Sequence, residues 1–278
     1  MLQCGIGNLN QAAVVRDPGE GVAADGTIMT GVDRALVPAR FEPAVSAAVA
    51  AIAEAASSEP SVYLYGSVAT GRARYPQSDV DLLTVGLTRS RAAELSRELS
   101  RQFSGRCRGI EIAAMAPGDM AGETDEAYGS RVFVRHYCVH LAGPDPAHGL
   151  PRFAADARAA RGLNGDIARH AARWRDTLPA ADGPQRLGRP LARKTLLAVA
   201  GLVSIHDATW TTDRELAADR WAEIEPELRA ALQALMAWSD GPALPGRHEV
   251  QHMLDFSIPR IIARLRRGDR PVALNRSE

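Results

Sequence analysis

Asp79 and Asp81 stand two apart in an apolar run, and eleven residues, Val68 to Ser78, separate them from a Gly66-Ser67 pair that ends an earlier apolar segment, Val62 to Tyr65. Successive side chains of a strand point to opposite faces, so Asp79 and Asp81 would project together while Val80 and Leu82 turn to a core. Two like charges that close repel, and aspartate is depleted in strands unless its charge is compensated. A divalent cation is the common remedy. Magnesium takes hard oxygen ligands and is often held by one or two carboxylates together with phosphate oxygens. A carboxylate pair can also hold two such ions about 3.5–4 Å apart, the arrangement that stabilises attacking and leaving oxygens in an in-line displacement at phosphorus.

Gly66 and Ser67 fit the other half of such chemistry. A glycine at a strand end lets the backbone approach a ligand closely, and the following amides with the Ser67 hydroxyl can donate to phosphate oxygens. Alone, Gly-Ser reads as an ordinary turn and Asp-Val-Asp as a solvated edge strand. Strand, Gly-Ser, a spacer of this length and Asp-apolar-Asp are much rarer in combination.

The combination resembles the core motif of the nucleotidyltransferase superfamily that includes DNA polymerase beta, in which Gly-Ser or Gly-Gly precedes an acid-apolar-acid strand. The resemblance implies that Asp79 and Asp81 bind catalytic metals and that Gly66 and Ser67 contact a triphosphate. It also implies a third acid on a neighbouring strand. The run CRGIEIAAM, residues 107 to 115, offers Glu111, which alternation sets opposite Ile110 and Ile112. In the aminoglycoside nucleotidyltransferases this acid is the general base for the acceptor hydroxyl; the plain alternative is a surface glutamate on a half-exposed strand.

The chain has 278 residues of ordinary globular composition, enough for one large domain or two modest ones. Its 33 basic and 33 acidic residues balance to zero, which argues against a protein that grips a nucleic-acid backbone. Cys4, Cys107 and Cys138 are odd in number and lack zinc spacing, and free thiols suit a reducing cytoplasm. No stretch reads as a signal peptide or a membrane span, so a cytoplasmic protein is expected.

Residues 1–30 read as a flexible tail, 31–148 as a nucleotidyltransferase domain and 149–278 as a helical domain, with GPDPAHGLP at 143–151 as the break. The expected class is α+β: a mixed β-sheet flanked by helices, then an α-helical bundle. In the first part, helices are expected over 38–57 and 89–103. Arg131 to Leu141 reads as a strand, with Val132, Val134, His136, Cys138 and His140 on one face. The second part reads as helices over 153–178, 190–206, 212–221, 226–238 and 250–267. His136 and His140 are expected to be structural, and Trp174, Trp210, Trp221 and Trp238 to be packing residues.

The second part carries a narrower resemblance. TTDRELAADRWAE, residues 211–223, resembles the Ser-Lys-Asp...Ala-Ala...Trp segment of the aminoglycoside (3'')(9) adenylyltransferases, and VHLAGPDP resembles the strand end before their helical domain. The lysine that contacts ATP phosphate there is matched here by Arg214, a fork in place of a point charge. One extra residue lies between Ala218 and Trp221, and Gly201 stands where the family places an arginine. Arg193 and Lys194, the chain's one lysine, could reach the phosphates or form a solvated cationic turn. The resemblance therefore implies two Mg²⁺, ATP as donor, and transfer of AMP to a hydroxyl of a cationic, aminoglycoside-like small molecule, which would confer resistance. The alternatives are a protein or tRNA acceptor, or a nucleotide-binding regulator without catalysis.

Overall fold

The structure, a computed structural model, describes residues 19–180, 182–241 and 243–267. Cys4 lies outside them. A short antiparallel pair, β1 (Glu20–Val22) and β2 (Ile28–Thr30), comes first. Its turn is built by Asp25, whose Oδ1 accepts the amide and hydroxyl of Thr27 at 3.0 and 2.6 Å, and by Gly26 at φ +81°. Residues 20–30, expected in a flexible tail, are thus a hairpin. Ile28 N–H donates to the Phe153 carbonyl and Ala155 N–H to the Gly26 carbonyl.

The main sheet holds β3 (Ser61–Tyr65), β4 (Val80–Val85), β5 (Ile110–Met115) and β6 (Val139–Ala142), in the order β5-β4-β3-β6. β3 runs antiparallel to β4 and β6, and β4 parallel to β5. Helix α1 (Glu42–Ala55) precedes β3, the one-turn α2 (Gly66–Ala69) follows it, and α3 (Arg89–Gln102) makes the β4–β5 crossover. Strand alternation divides the sheet cleanly. Val62, Leu64, Val80, Leu82, Ile110 and Ile112 face α1 and α3 in one buried cluster with Val45, Ile52, Leu95 and Leu99.

The opposite face is covered by α4 (Asp125–Tyr137), which corrects the expected strand over 131–141: within that run only Val139 to Leu141 belong to a strand, β6. Thr124 caps α4 by accepting the Ala127 N–H, and Asp125 and Glu126 occupy the first turn, where the helix dipole favours negative charge. The buried set Gly129, Val132 and His136 is spaced 3 and 4, a helical face, while Val132, Val134 and His136 also alternate as a strand would. The tertiary neighbours decide. Val134 and Phe133 pack on Tyr63, Tyr65, Leu83 and Val85, and His136 Nε2 accepts the Phe153 N–H at 2.8 Å. Burial holds the His136 ring down to a pKa of about 4, so it is a neutral acceptor at physiological pH.

Beyond β6 the described residues are helical: α5 (Ala157–Asn164), α6 (Ile167–Thr177), α7 (Gly183–His206), α8 (Arg214–Ile224), α9 (Arg229–Asp240), α10 (Arg247–His252) and α11 (Ile258–Arg267). The helix expected over 153–178 is broken at Gly165-Asp166, and α7 begins seven residues before Pro190 and runs through it. Trp174, Trp221 and Trp238 lie in the core of these helices, and buried Trp210 donates to the Tyr137 hydroxyl at 2.6 Å. Glycine permits the joint between the two parts: a Cβ on Gly162 of α5 would fall 2.7 Å from the Gly129 Cα of α4. The class is α+β, a mixed sheet with flanking helices followed by helices. Among the described residues, no helix is long and apolar enough to cross a membrane.

Candidate active site

The β4–β5 register places Asp81 directly beside Glu111, and the β3–β4 register places Tyr65 opposite Asp81. Asp81, Glu111 and Tyr65 therefore share the α4-side face of the sheet. Asp81 is half-buried and Glu111 exposed. Burial first, then the charges of Glu111 and Asp79, push the Asp81 carboxyl up to about 7; Arg108 and Arg193 pull the other way. The phenol of Tyr65 is raised by burial and then by Asp81 and Glu111. Burial leads both shifts, and repulsion among the carboxylates adds to it.

Asp79 lies one residue before β4, and both of its oxygens face Arg108. Nε of Arg108 donates to Oδ1 at 2.9 Å and Nη2 donates to Oδ2. The bridge is set by the backbone, since Arg108 N–H donates to the Ser78 carbonyl at 3.1 Å and Val80 N–H to the Gly109 carbonyl at 2.9 Å. Among the described residues, no three His, Cys, Asp or Glu side chains stand close enough to hold a metal ion as they are oriented. Asp79, Asp81 and Glu111 nonetheless fit magnesium by donor type, being hard carboxylate oxygens, and burial together with their repulsion lifts the pKa of Asp81.

Gly66 opens α2 at φ +73°, and a Cβ there would run into the Asp81 carboxylate, lying 3.2 Å from its Cγ. Only glycine lets the strand end come this near the acid. Ser67 follows, its carbonyl accepting the Arg72 N–H at 2.9 Å and the Thr70 hydroxyl at 3.2 Å, which draws the chain into a tight bend. Gly66, Ser67, Asp81 and Glu111 thus surround one end of the sheet.

The helical part contributes from two sides. Arg193 of α7 exerts its charge on Asp81. Its neighbour Lys194 is engaged elsewhere, 2.6 Å from Asp166 Oδ1 and donating to the Leu163 carbonyl at 3.2 Å. Gly201 faces Ala160 and Asn164 at the α5–α7 contact, where a Cβ would already lie 3.1 Å from Asn164 Nδ2. An arginine has no room at that position. Arg214 is the first residue of α8, capped by Asp213 Oδ1, and lines a cleft of about 430 Å³ with Arg72, Thr212, Leu197 and Met236.

Three residues here escape sequence reasoning. Arg72 and Arg108 belong to loops flanking the acids. Glu20 belongs to the hairpin: it is buried, accepts the Thr212 N–H and hydroxyl at 2.5 Å each and the Thr211 hydroxyl at 3.3 Å, and feels the charge of Arg72. Burial raises its pKa. The hairpin thereby fixes the turn that presents Arg214.

A crystal structure of spectinomycin adenyltransferase AAD(9) from Enterococcus faecialis with ATP and spectinomycin aligns with 81% of this chain and 99% of its own, at TM-score 0.51 and 13% identity. The chain shares the overall fold of that structure. No protein-family model matches the chain, and no curated protein matches it by sequence. The likeness is one of architecture.

Proposed function

We propose that the chain is a magnesium-dependent nucleotidyltransferase that moves AMP from ATP to a hydroxyl of a cationic, aminocyclitol- or aminoglycoside-like small molecule, releasing pyrophosphate. The observation that carries this reading is the register pairing of Asp81 with Glu111 beside the Gly66 bend, with the charge of Arg193 reaching Asp81 from the helical part. The likeness to a structure that holds ATP and spectinomycin supports the choice of donor and of acceptor class.

Asp79 and Asp81 would hold the metal, which when bound offsets the charge of the triphosphate and of the departing pyrophosphate. Gly66 lets the backbone come close, and Ser67 donates to phosphate oxygens. Arg193, Arg214 and Arg72 supply the cationic wall for the phosphate tail, while Lys194 anchors α7 through Asp166 beside that wall. Glu111, exposed at the sheet edge, accepts the proton of the acceptor hydroxyl as its oxygen attacks the α-phosphorus. Arginines already placed around the phosphates stabilise charge that develops there without reorganising.

The test is transfer of label. The protein is incubated with α-labelled ATP and Mg²⁺ beside streptomycin, spectinomycin, total tRNA or cell lysate. Label on one of the small molecules is the expected result. Label on RNA or lysate protein alone would overturn the acceptor, and label nowhere would favour a nucleotide-binding regulator.

A further inference from the structure

We propose that Arg108 is the resting counter-ion of the metal site, a positioning residue whose guanidinium occupies Asp79 until a divalent cation and its nucleotide displace it. The inference rests on the reading that Asp79 and Asp81 hold the metal.

The argument begins with lone pairs. A carboxylate has acceptor sites on two oxygens, and a forked guanidinium takes one on each. Arg108 does this to Asp79 through Nε and Nη2. A hard cation that took Asp79 as a ligand would need oxygens aimed at it rather than at the arginine. The two partners differ in freedom. The Asp79 side chain is only 12% exposed, whereas that of Arg108 is 50% exposed, so the acid is fixed and the cation can swing toward solvent.

Charge gives the same direction. Arg108 acts on all three acids and Arg193 on Asp81, so part of the acidic charge is offset before any ligand enters. A bare divalent ion would have to break the fork with nothing to offer the arginine in exchange. A metal–nucleotide complex brings phosphate oxygens that offer the released guanidinium a new acceptor. The bridge thus favours entry of metal with nucleotide over entry of metal alone.

The experiment is Mn²⁺ titration of the full chain without nucleotide, read as loss of the free-ion electron paramagnetic resonance signal. The variants are Arg108→Gln, Arg108→Lys and Asp79→Asn, the last also combined with Arg108→Gln. Circular dichroism checks each fold. Arg108→Gln is expected to tighten Mn²⁺ binding about tenfold, between the effects of an exposed ion pair and of a bidentate charged one. Arg108→Lys should fall between wild type and Gln, because it keeps charge without the fork, and Asp79→Asn should cancel the gain. Equal or weaker binding by Arg108→Gln, or wild-type binding by Arg108→Lys, would overturn the exchange while Asp79→Asn still weakens binding. Absence of Mn²⁺ binding throughout, or indifference to Asp79→Asn, would instead overturn the metal site, and the exchange with it.

Discussion

Removing the charge of Asp81 should stabilise the protein while ending its chemistry. The carboxyl stands at about 7 in the folded chain against an ordinary 3.8, raised chiefly by burial and by Glu111 and Asp79. At ~1.36 kcal/mol per unit this is about 4 kcal/mol of strain as an upper bound. Relaxation and water entry around a half-buried group bring a working figure nearer 2 kcal/mol. The sign follows from proton counts. Between pH 3.8 and about 7 the folded state binds more protons at this site than the unfolded chain, so the wild type loses stability as pH rises through that window. Asp81→Asn lacks this slope. In thermal melts without divalent ions at pH 8, the variant should unfold about 4–8 °C above wild type, and the gap should close toward pH 4. Magnesium with nucleotide should raise the wild-type midpoint and leave the variant unmoved. A variant that melts at or below wild type at pH 8, or two profiles that stay parallel from pH 4 to 8, would refute the electrostatic account of the site.

Glu111→Gln should lower kcat about 10²- to 10⁴-fold with the KM for ATP nearly unchanged, since the group is assigned to proton transfer; equal loss in both would make it a binding residue. Gly66→Ala must adopt φ +73° and drive its Cβ into the Asp81 carboxylate, so urea unfolding should report about 2–3 kcal/mol of lost stability, and an unchanged midpoint would mean that the bend is relaxed in solution. Glu20→Ala should cost about 1–3 kcal/mol by stripping Thr211 and Thr212 of their acceptor; the same urea series measures it, and a neutral result would deny the hairpin its role at the head of α8.

The strands that carry the acids are legible because alternation holds where the acids sit, Val80-Asp81-Leu82 and Ile110-Glu111-Ile112, and because glycines mark strand ends, Gly66 after β3 and Gly86 after β4. The pairing of Asp81 with Glu111 follows from the same alternation once β4 and β5 are neighbours. Helix α4 is misread because Val132, Val134 and His136 alternate as a strand would, while the helical spacing shows only when Gly129 is counted with Val132 and His136; the deciding signals are Thr124 as cap and the acidic pair Asp125-Glu126 after it. The hairpin at 20–30 is missed although Asp25-Gly26 is a turn signal, since its strands are only three residues long. Arg72 and Arg108 are invisible for another reason. Where all but one of 33 basic residues are arginine, composition marks none of them, and only the fold shows which two flank the acids.

The most direct test of the central claim is a crystal grown with Mn²⁺ and a non-hydrolysable ATP analogue, with anomalous scattering locating the metal. The account predicts manganese between Asp79 and Asp81, phosphates against Ser67, and Glu111 open to the α-phosphorus. Manganese bound away from both aspartates, or a triphosphate remote from the Gly66-Ser67 bend, would contradict it.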